Sequence, residues 1–309
     1  MPRVIATGAT GFIGKALCRR LAERGYEIIA LSRNLEKGKS ILGKNVRVVE
    51  WNGKNSQGWL DYVEGAEAVL NLAGESLASG RWTEEKKQSI LQSRLDAGRA
   101  VVEAARLAKK KPNVVIQASA VGYYGHRRDE VCDESSSNGE GFLSEVTQKW
   151  ELSTQEVEAQ RIRRVIIRTG MVLGREGGAF IRLEKPFRFF AGGPLGSGRQ
   201  WFSWIHLDDE VNAIIFLMER DDLSGVFNLT APQPVRQKDF SRTLGKVMKR
   251  PSWLPVPGFL LRLLFGAMAQ EALLSGQRVV PSRLLDSNFR FLYPELEPAF
   301  KEILGTNSL

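Results

Sequence analysis

Short apolar runs rich in Val and Ile alternate with longer amphipathic stretches through the first 170 residues, the pattern of βαβ units that feed a parallel sheet. The runs place strands near 3–7, 27–31, 46–50, 68–72, 114–118 and 164–169, and helical periodicity covers 12–24, 82–108 and 142–159. Gly25, Gly65 and Pro112 supply the stops, since neither residue continues a helix or a strand well. Beyond residue 170 the rhythm changes, with Gly-rich stretches at 174–178 and 192–198 flanking a basic, aromatic segment. Residues 211–219 read as one more helix and 226–229 as a strand returning to the sheet, and the Pro-rich remainder holds short helices. The expected fold is α/β: a Rossmann-type doubly wound parallel sheet over residues 1–230, with 175–204 as a substrate lip, and a small, mostly helical C-terminal cap over 231–309.

Thr7-Gly8-Ala9-Thr10-Gly11-Phe12-Ile13-Gly14 directly follows the first strand and starts the first helix. Glycine serves three purposes there: Gly8 for a tight turn, Gly11 so that backbone can approach a pyrophosphate, and Gly14 so that helix and sheet pack closely. Free N–H groups at the helix start then meet phosphate charge. The second strand ends in Leu31-Ser32-Arg33-Asn34, a hydroxyl and a guanidinium where an NAD site usually has a carboxylate, so NADP(H) is the expected cofactor. The fourth strand ends in Asn71-Leu72-Ala73-Gly74, small residues that suit either backbone approach by the cofactor or tight packing.

The chain carries a net charge of +9. Its Lys and Arg are scattered, and the run Lys109-Lys110-Lys111 before Pro112 reads as a solvated helix end, so no nucleic-acid partner is expected. A basic surface suits an anionic small-molecule substrate. Cys18 and Cys132 form no Cys-x-x-Cys pair and the N-terminus runs straight into a strand; a reducing, cytoplasmic setting without disulfide or zinc is expected. The longest apolar stretch, Phe259 to Ala269, is interrupted by Arg262 and is too short to cross a bilayer, so no membrane partner is expected.

These motifs resemble the extended short-chain dehydrogenase/reductase superfamily, and more narrowly its "epimerase family" branch of NADP-dependent oxidoreductases. The matching stretches include Asn71 to Glu75, Arg81-Trp82-Thr83, Ser93-Arg94, Ser119 to Gly125, Lys149-Trp150-Glu151, Arg168-Thr169-Gly170, Gly192 to Gln200, Trp204-Ile205-His206 and Gly276 to Pro281. The resemblance implies a cofactor pocket of Gly8, Thr10, Gly11, Phe12, Ile13, Ser32, Arg33, Leu72, Ala73, Gly74, Arg94 and Val172. Arg94 reads either as a cation for the cofactor's phosphate or ribose or as half of a surface salt bridge. Homodimers through sheet-flanking helices are common in similar proteins.

Superfamily members place Tyr-x-x-x-Lys on the helix after the fifth strand, where lysine lowers the phenol's pKa and tyrosine moves a proton during hydride transfer. No such pair exists in this sequence; Phe142 or Leu143 occupies the tyrosine region, and Val146 or Thr147 the lysine region. A substitute constellation is Tyr123 with Ser119 as hydrogen-bond partner and Lys149 or Arg94 as the nearby cation, the other reading being that Tyr123 only packs. Arg188, Arg199 and Gln200, set among Phe187, Phe189, Trp201 and Trp204, form either a substrate lip, with Arg199, Gln200 and Trp204 as its contacts, or a hydrophobic hinge. His206 and Asp208-Asp209 read as a helix start, not a metal site. Two functions fit: an NADP(H)-dependent oxidoreductase or epimerase-like enzyme on a small substrate, or a non-catalytic NADP(H)-binding sensor or partner-binding regulator.

Overall fold

The computed structural model describes residues 1–78 and 80–305. Seven strands form the central sheet: β1 Arg3–Thr7, β2 Glu27–Ser32, β3 Arg47–Glu50, β4 Ala68–Asn71, β5 Val114–Ala120, β6 Arg163–Thr169 and β7 Gly225–Leu229. Their order is β3-β2-β1-β4-β5-β6-β7 and every pairing is parallel. The strand order reverses between β1 and β4, which leaves a crevice at their carboxyl ends.

Along β1 the apolar side chains divide by alternation. Val4 and Ala6 join the core on one face, with Leu17 and Leu21 of helix α1 (Phe12–Glu23), while Ile5 joins the other. That second face is covered by helix α3 (Glu84–Leu107) through Ala97, Ala100, Val101 and Ala104, small residues that bring the helix close to the sheet. Helix α2 (Leu35–Leu42), absent from the sequence reading, is started by Asn34, whose Oδ1 accepts from the Lys37 amide at 2.9 Å. The helix expected over 142–159 is instead two: α4 (Phe142–Leu152) and a separate turn Glu156–Ala159. Ser153 ends α4 by returning its hydroxyl to the Trp150 carbonyl at 2.6 Å, against Gly98 of α3, where no side chain would fit beside it.

Past β6 come α5 (Phe180–Arg188) and α6 (Leu207–Glu219), and past β7 come α7 (Gln237–Met248), α8 (Gly258–Phe265) and α9 (Leu296–Ile303). One hydrophobic cluster joins Phe180, Phe187, Phe202 and Trp204 to Phe240, Leu244 and Phe300, so the lip and the C-terminal region share a core. Lys111 reaches the carbonyls of Ala105, Arg106 and Ala108 at the end of α3, the helix-end role read from its run. Among the described residues, no helix is long and apolar enough to cross a membrane.

Candidate functional site

The turn after β1 has the geometry its glycines require. Gly8 has φ of 66°, and a Cβ on it would lie 2.6 Å from the Leu72 carbonyl oxygen. A Cβ on Gly14 would lie 2.7 Å from Ala9 Cα, so α1 meets the turn backbone to backbone. Gly11 is the N-cap of α1, and among the described residues no side chain caps the helix and its first turn has no acid. The helix therefore keeps unpaired N–H groups and its positive end toward the crevice. Thr10, Gly11 and Phe12 line a cavity of about 380 Å³, with Gly174, Arg175 and Leu207 on its other side. The Phe12 ring fits against Gly174, Gly177 and Gly178, whose lack of side chains leaves it room. Ile13 packs on the core, and Val172 is buried in a short parallel pairing opposite Ile205.

A buried polar chain holds the strand ends in register. Thr7 Oγ1 donates to Asn71 Oδ1 at 2.8 Å and accepts from the Ala73 amide at 3.1 Å, and Asn71 Nδ2 donates to Gln117 Oε1 at 2.8 Å. These bonds fix the path of Leu72 and Ala73 over β1, because breaking any of them would leave a buried polar group unpaired. The next residues rest on Arg94. Its Nη1 donates to the carbonyls of Glu75 (3.1 Å) and Ile90 (2.9 Å), and its guanidinium lies 4.7 Å from the Trp150 ring. Arg94 is thus buried and not a surface salt bridge. Burial pulls its pKa down to about 10 against the opposing charge of Glu75, and a Cβ on Gly74 would come within 2.9 Å of its Cζ.

At the end of β2, Ser32 Oγ donates to the Asn34 carbonyl at 2.9 Å. Arg33 is exposed. Among the described residues it has no hydrogen-bond or ion-pair partner, while the carboxyl of Glu75 across the crevice is held below its ordinary range by its bond to Lys86, by Lys86's charge, and in smaller part by Arg33 and Arg94.

The carboxyl end of β5 departs from the constellation read in the sequence. Ser119 Oγ donates to Glu151 Oε1 at 2.6 Å, not to Tyr123. The cation beside Tyr123 is Arg168, with Cζ 3.3 Å from the ring centroid, whereas Lys149 pairs with Glu145 at 2.6 Å and Arg94 is spent as described. Arg168 grips Glu151 bidentately through Nε (2.8 Å) and Nη2 (2.9 Å), and its Nη1 donates to the Tyr124 hydroxyl at 3.1 Å. Tyr124 in turn donates to Asn228 Oδ1 at 2.7 Å. Burial pushes the Tyr124 phenol up to about 12 despite Arg168. Burial also works against the Arg168 charge, but the Glu151 bonds outweigh it and raise its pKa. Strand register explains this assembly: Ser119 lies opposite Arg168, so both side chains leave the same face toward α4. The sequence gives Glu151 and Arg168 no role; the signal it does carry is a charged residue inside the apolar run of β6.

On α4 it is Leu143 that faces the end of β5, its Cβ 3.2 Å from where a Cβ on Gly122 would be. Thr147, one turn on, is buried and donates to the carbonyls of Leu143 and Ser144. Phe142 points elsewhere, 5.3 Å edge-on to Trp82. Of the four residues read for the tyrosine and lysine regions, Leu143 and Thr147 thus lie one turn apart on the part of α4 nearest the end of β5.

Two of the three expected substrate contacts are out of a ligand's reach. Trp204 is fully buried with its indole N–H on the Gln233 carbonyl, and Gln200 is buried, its amide bridging the carbonyls of Leu195 and Leu273. Both side chains hold the lip to the C-terminal region, as core packing requires; only Arg199 is exposed. Glu271 of the cap accepts from the amides of Phe142 (3.0 Å) and Leu143 (3.1 Å), which caps α4 from outside. Between this contact and the sheet edge lies a cavity of about 200 Å³, bordered by Gly122, His126, Leu143, Ser144, Gln270 and Gln277. His206 starts α6 by accepting from the Asp208 amide at 3.1 Å, and Asp209 accepts from the amides of Leu292 and Tyr293.

The NAD dependent epimerase/dehydratase family matches residues 4–230, and a domain of unknown function (DUF1731) matches 256–303. The epimerase family protein YfhF of Bacillus subtilis (strain 168) is 40% identical over 305 residues, covering 98% of each chain. A chloroplastic homolog of epimerase family protein SDR39U1 from Arabidopsis thaliana is 41% identical over 97% of this chain and 86% of its own. Among solved structures, human epimerase family protein SDR39U1 (isoform 2) with NADPH has a TM-score of 0.88 at 33% identity, covering 99% of this chain and 100% of that one. UDP-glucuronic acid 4-epimerase from Bacillus cereus shares the fold, with a TM-score of 0.78 at 16% identity over 98% of each chain. With its switch-point crevice, glycine turn and C-terminal domain, this chain belongs to the NAD dependent epimerase/dehydratase family.

Proposed function

We propose that the chain is an NADP(H)-dependent oxidoreductase or epimerase-like enzyme acting on a small substrate between the carboxyl edge of the sheet and the C-terminal cap. The observation that carries the cofactor choice is Arg33: an exposed guanidinium beside Ser32 at the end of β2, without an ion-pair partner among the described residues. A 2′-phosphate would gain a charge-assisted contact there, whereas the 2′-hydroxyl of NAD would find no carboxylate. Gly8, Thr10, Gly11, Phe12 and Ile13 would carry the pyrophosphate, Leu72, Ala73 and Gly74 the adenosine side, and Val172 the nicotinamide side, with Arg94 supporting the Gly74 segment from beneath. NADPH bound to the similar human protein supports this reading. When bound, the nicotinamide would supply hydride transfer.

For the proton, Tyr123 is the candidate: its ring is stacked on Arg168, and among the described residues its hydroxyl has no hydrogen-bond partner. Ser119 acts through Glu151 as a positioning residue. A cavity of about 200 Å³ lies below the range of roughly 300–1,000 Å³ usual for drug-sized ligands, which favours a small substrate. The second reading, a non-catalytic NADP(H) sensor or partner-binding regulator, draws on Leu143 and Thr147, which cannot act as a phenol and amine pair.

Titration with NADPH and NADH by nicotinamide fluorescence and calorimetry tests the cofactor. Tighter NADPH binding that falls about 10- to 100-fold in Arg33→Ala, with NADH unchanged, is expected from a contact of about 1.5–3 kcal/mol; equal affinities in wild type and variant would overturn it. Among carbonyl substrates screened with bound NADPH, turnover lost in Tyr123→Phe selects the enzyme, and cofactor binding without any hydride exchange selects the sensor.

A further inference from the structure

We propose that the cap carries a docking surface for an anionic lipid bilayer, centred on α8 and distinct from the dinucleotide crevice. Helix α8 reads Gly258-Phe259-Leu260-Leu261-Arg262-Leu263-Leu264-Phe265, and only Leu261 of it is buried. Phe259 is 70% exposed, Leu263 67% and Leu264 54%, and Trp253 just before the helix is 75% exposed. Soluble surfaces seldom leave so many large apolar side chains together without an interaction to match.

The patch extends beyond the helix. The Leu254 amide donates to the Gly192 carbonyl at 3.2 Å, which brings Trp253 and Leu254 beside the end of α5 with its exposed Phe189 and Phe190. Arg250 lies 4.4 Å from the Phe190 ring, and Arg81 donates to the Leu263 carbonyl at 2.7 Å.

Charge selects the partner. From Gly245 to Gln270 the sequence holds Lys246, Lys249, Arg250 and Arg262 and no acidic residue; Lys246 is paired with Glu297 of α9 at 2.7 Å, which leaves Lys249, Arg250 and Arg262 as the cations of this stretch. From Gly177 to Arg199 it holds Arg182, Lys185, Arg188 and Arg199 against the single carboxylate Glu184, which is buried and paired with Arg188 at 2.5 Å. Exposed Phe, Leu and Trp within a cationic collar are what a helix lying in an anionic lipid interface presents, its apolar side chains in the acyl boundary and its cations at the headgroups. A second copy meeting the same patch across a two-fold axis would set these arginines and lysines against their own equivalents, which costs affinity. A stretch too short to span a bilayer is long enough to lie on one.

Co-sedimentation of the full chain with phosphatidylcholine vesicles, with and without phosphatidylglycerol, tests this. Pelleting with the anionic vesicles only, weakened by salt, is expected. Leu263→Glu with Leu264→Glu should abolish it, and Arg250→Gln and Arg262→Gln should each weaken it by about fivefold. Leu263, Leu264 and Arg262 are exposed and Arg250 is half-buried, and unchanged circular dichroism and NADPH titration show that the variants remain folded. No pelleting with either vesicle, or pelleting unaltered by the Leu263/Leu264 variant, would overturn the proposal. So would self-association in analytical ultracentrifugation that this variant removes without any vesicle binding, which would make the patch a subunit interface.

Discussion

Arg168 and Glu151 form a buried, bidentate ion pair beneath Tyr123, with Arg168 Nε and Nη2 each within 2.9 Å of a Glu151 oxygen. The pair joins β6 to α4 and, through Ser119 and Tyr124, extends to β5 and β7. A cation held so close under an aromatic face is stabilised by the ring as well as by the carboxylate, so Tyr123 has a fixed floor and little freedom to tilt.

Removing one partner strands the other charge in the core, and such changes cost about 3–5 kcal/mol. Glu151→Ala and Arg168→Ala are therefore expected to lower the urea midpoint strongly, and the joint change Glu151→Leu with Arg168→Met to recover a large part of the loss. Equal losses in the single and joint variants would show that packing, not the pair, carries the stability.

Gly11 and Gly14 should separate nucleotide binding from folding. A Cβ on Gly14 would overlap the backbone of Ala9, whereas one on Gly11 would meet only the Gly8 carbonyl, at 3.1 Å, with φ at an ordinary −75°. Gly11→Ala is expected to cost less than about 1 kcal/mol of stability but to obstruct phosphate approach, while Gly14→Ala should cost about 1–3 kcal/mol by overpacking. Thermal midpoints and NADPH titrations of the two variants check the split; similar destabilisation by both would refute it.

What the sequence made legible follows the range of the forces involved. The strand–turn–helix around Gly8, Gly11 and Gly14 could be read because glycine spacing and apolar alternation are local. Ser119 and Tyr123 are near in sequence, which suggests a pair, yet the side chains they meet come from β6 and α4, brought there by strand register that no local pattern encodes. Trp204 and Gln200 have the sequence surroundings of ligand contacts, because arginine beside aromatics is a recognition pattern, and burial against the C-terminal region takes them away. Helix α2 is not legible in the sequence although Asn34 is a good N-cap, since its eight residues carry too few apolar positions to show a period.

Glu271 is the cap's hold on α4. Gly141 precedes that helix without any capping side chain, and Glu271 replaces one from 129 residues away. Two charge-assisted bonds of this kind contribute about 1.5–3 kcal/mol each at most. Glu271→Ala should speed hydrogen exchange at the Phe142 and Leu143 amides about tenfold or more, while the β1 amides exchange as before. Unchanged protection at those two amides would mean that water or the Gly139 segment caps α4 equally well.

Glu210 links stability to pH. Its carboxyl is fully buried on α6, Oε1 accepts from Thr169 at 2.8 Å, and Oε2 has no partner among the described residues. Burial pushes its pKa up to about 8 against the smaller, opposing effect of the Thr169 bond. The folded chain thus holds a proton that the unfolded chain, near its ordinary value of 4.5, gives up. The folded state binds more protons across that interval, so the stability due to this group is complete below about 4.5 and is lost as pH rises toward about 8. The slope approaches one proton, about 1.4 kcal/mol per pH unit. Glu210→Gln keeps the shape of the neutral acid and cannot ionise, so it should flatten this part of the profile and exceed the wild type in stability at pH above about 8. Urea unfolding of both proteins between pH 5 and 9 measures the difference; parallel profiles would show that Glu210 keeps the same protonation state folded and unfolded.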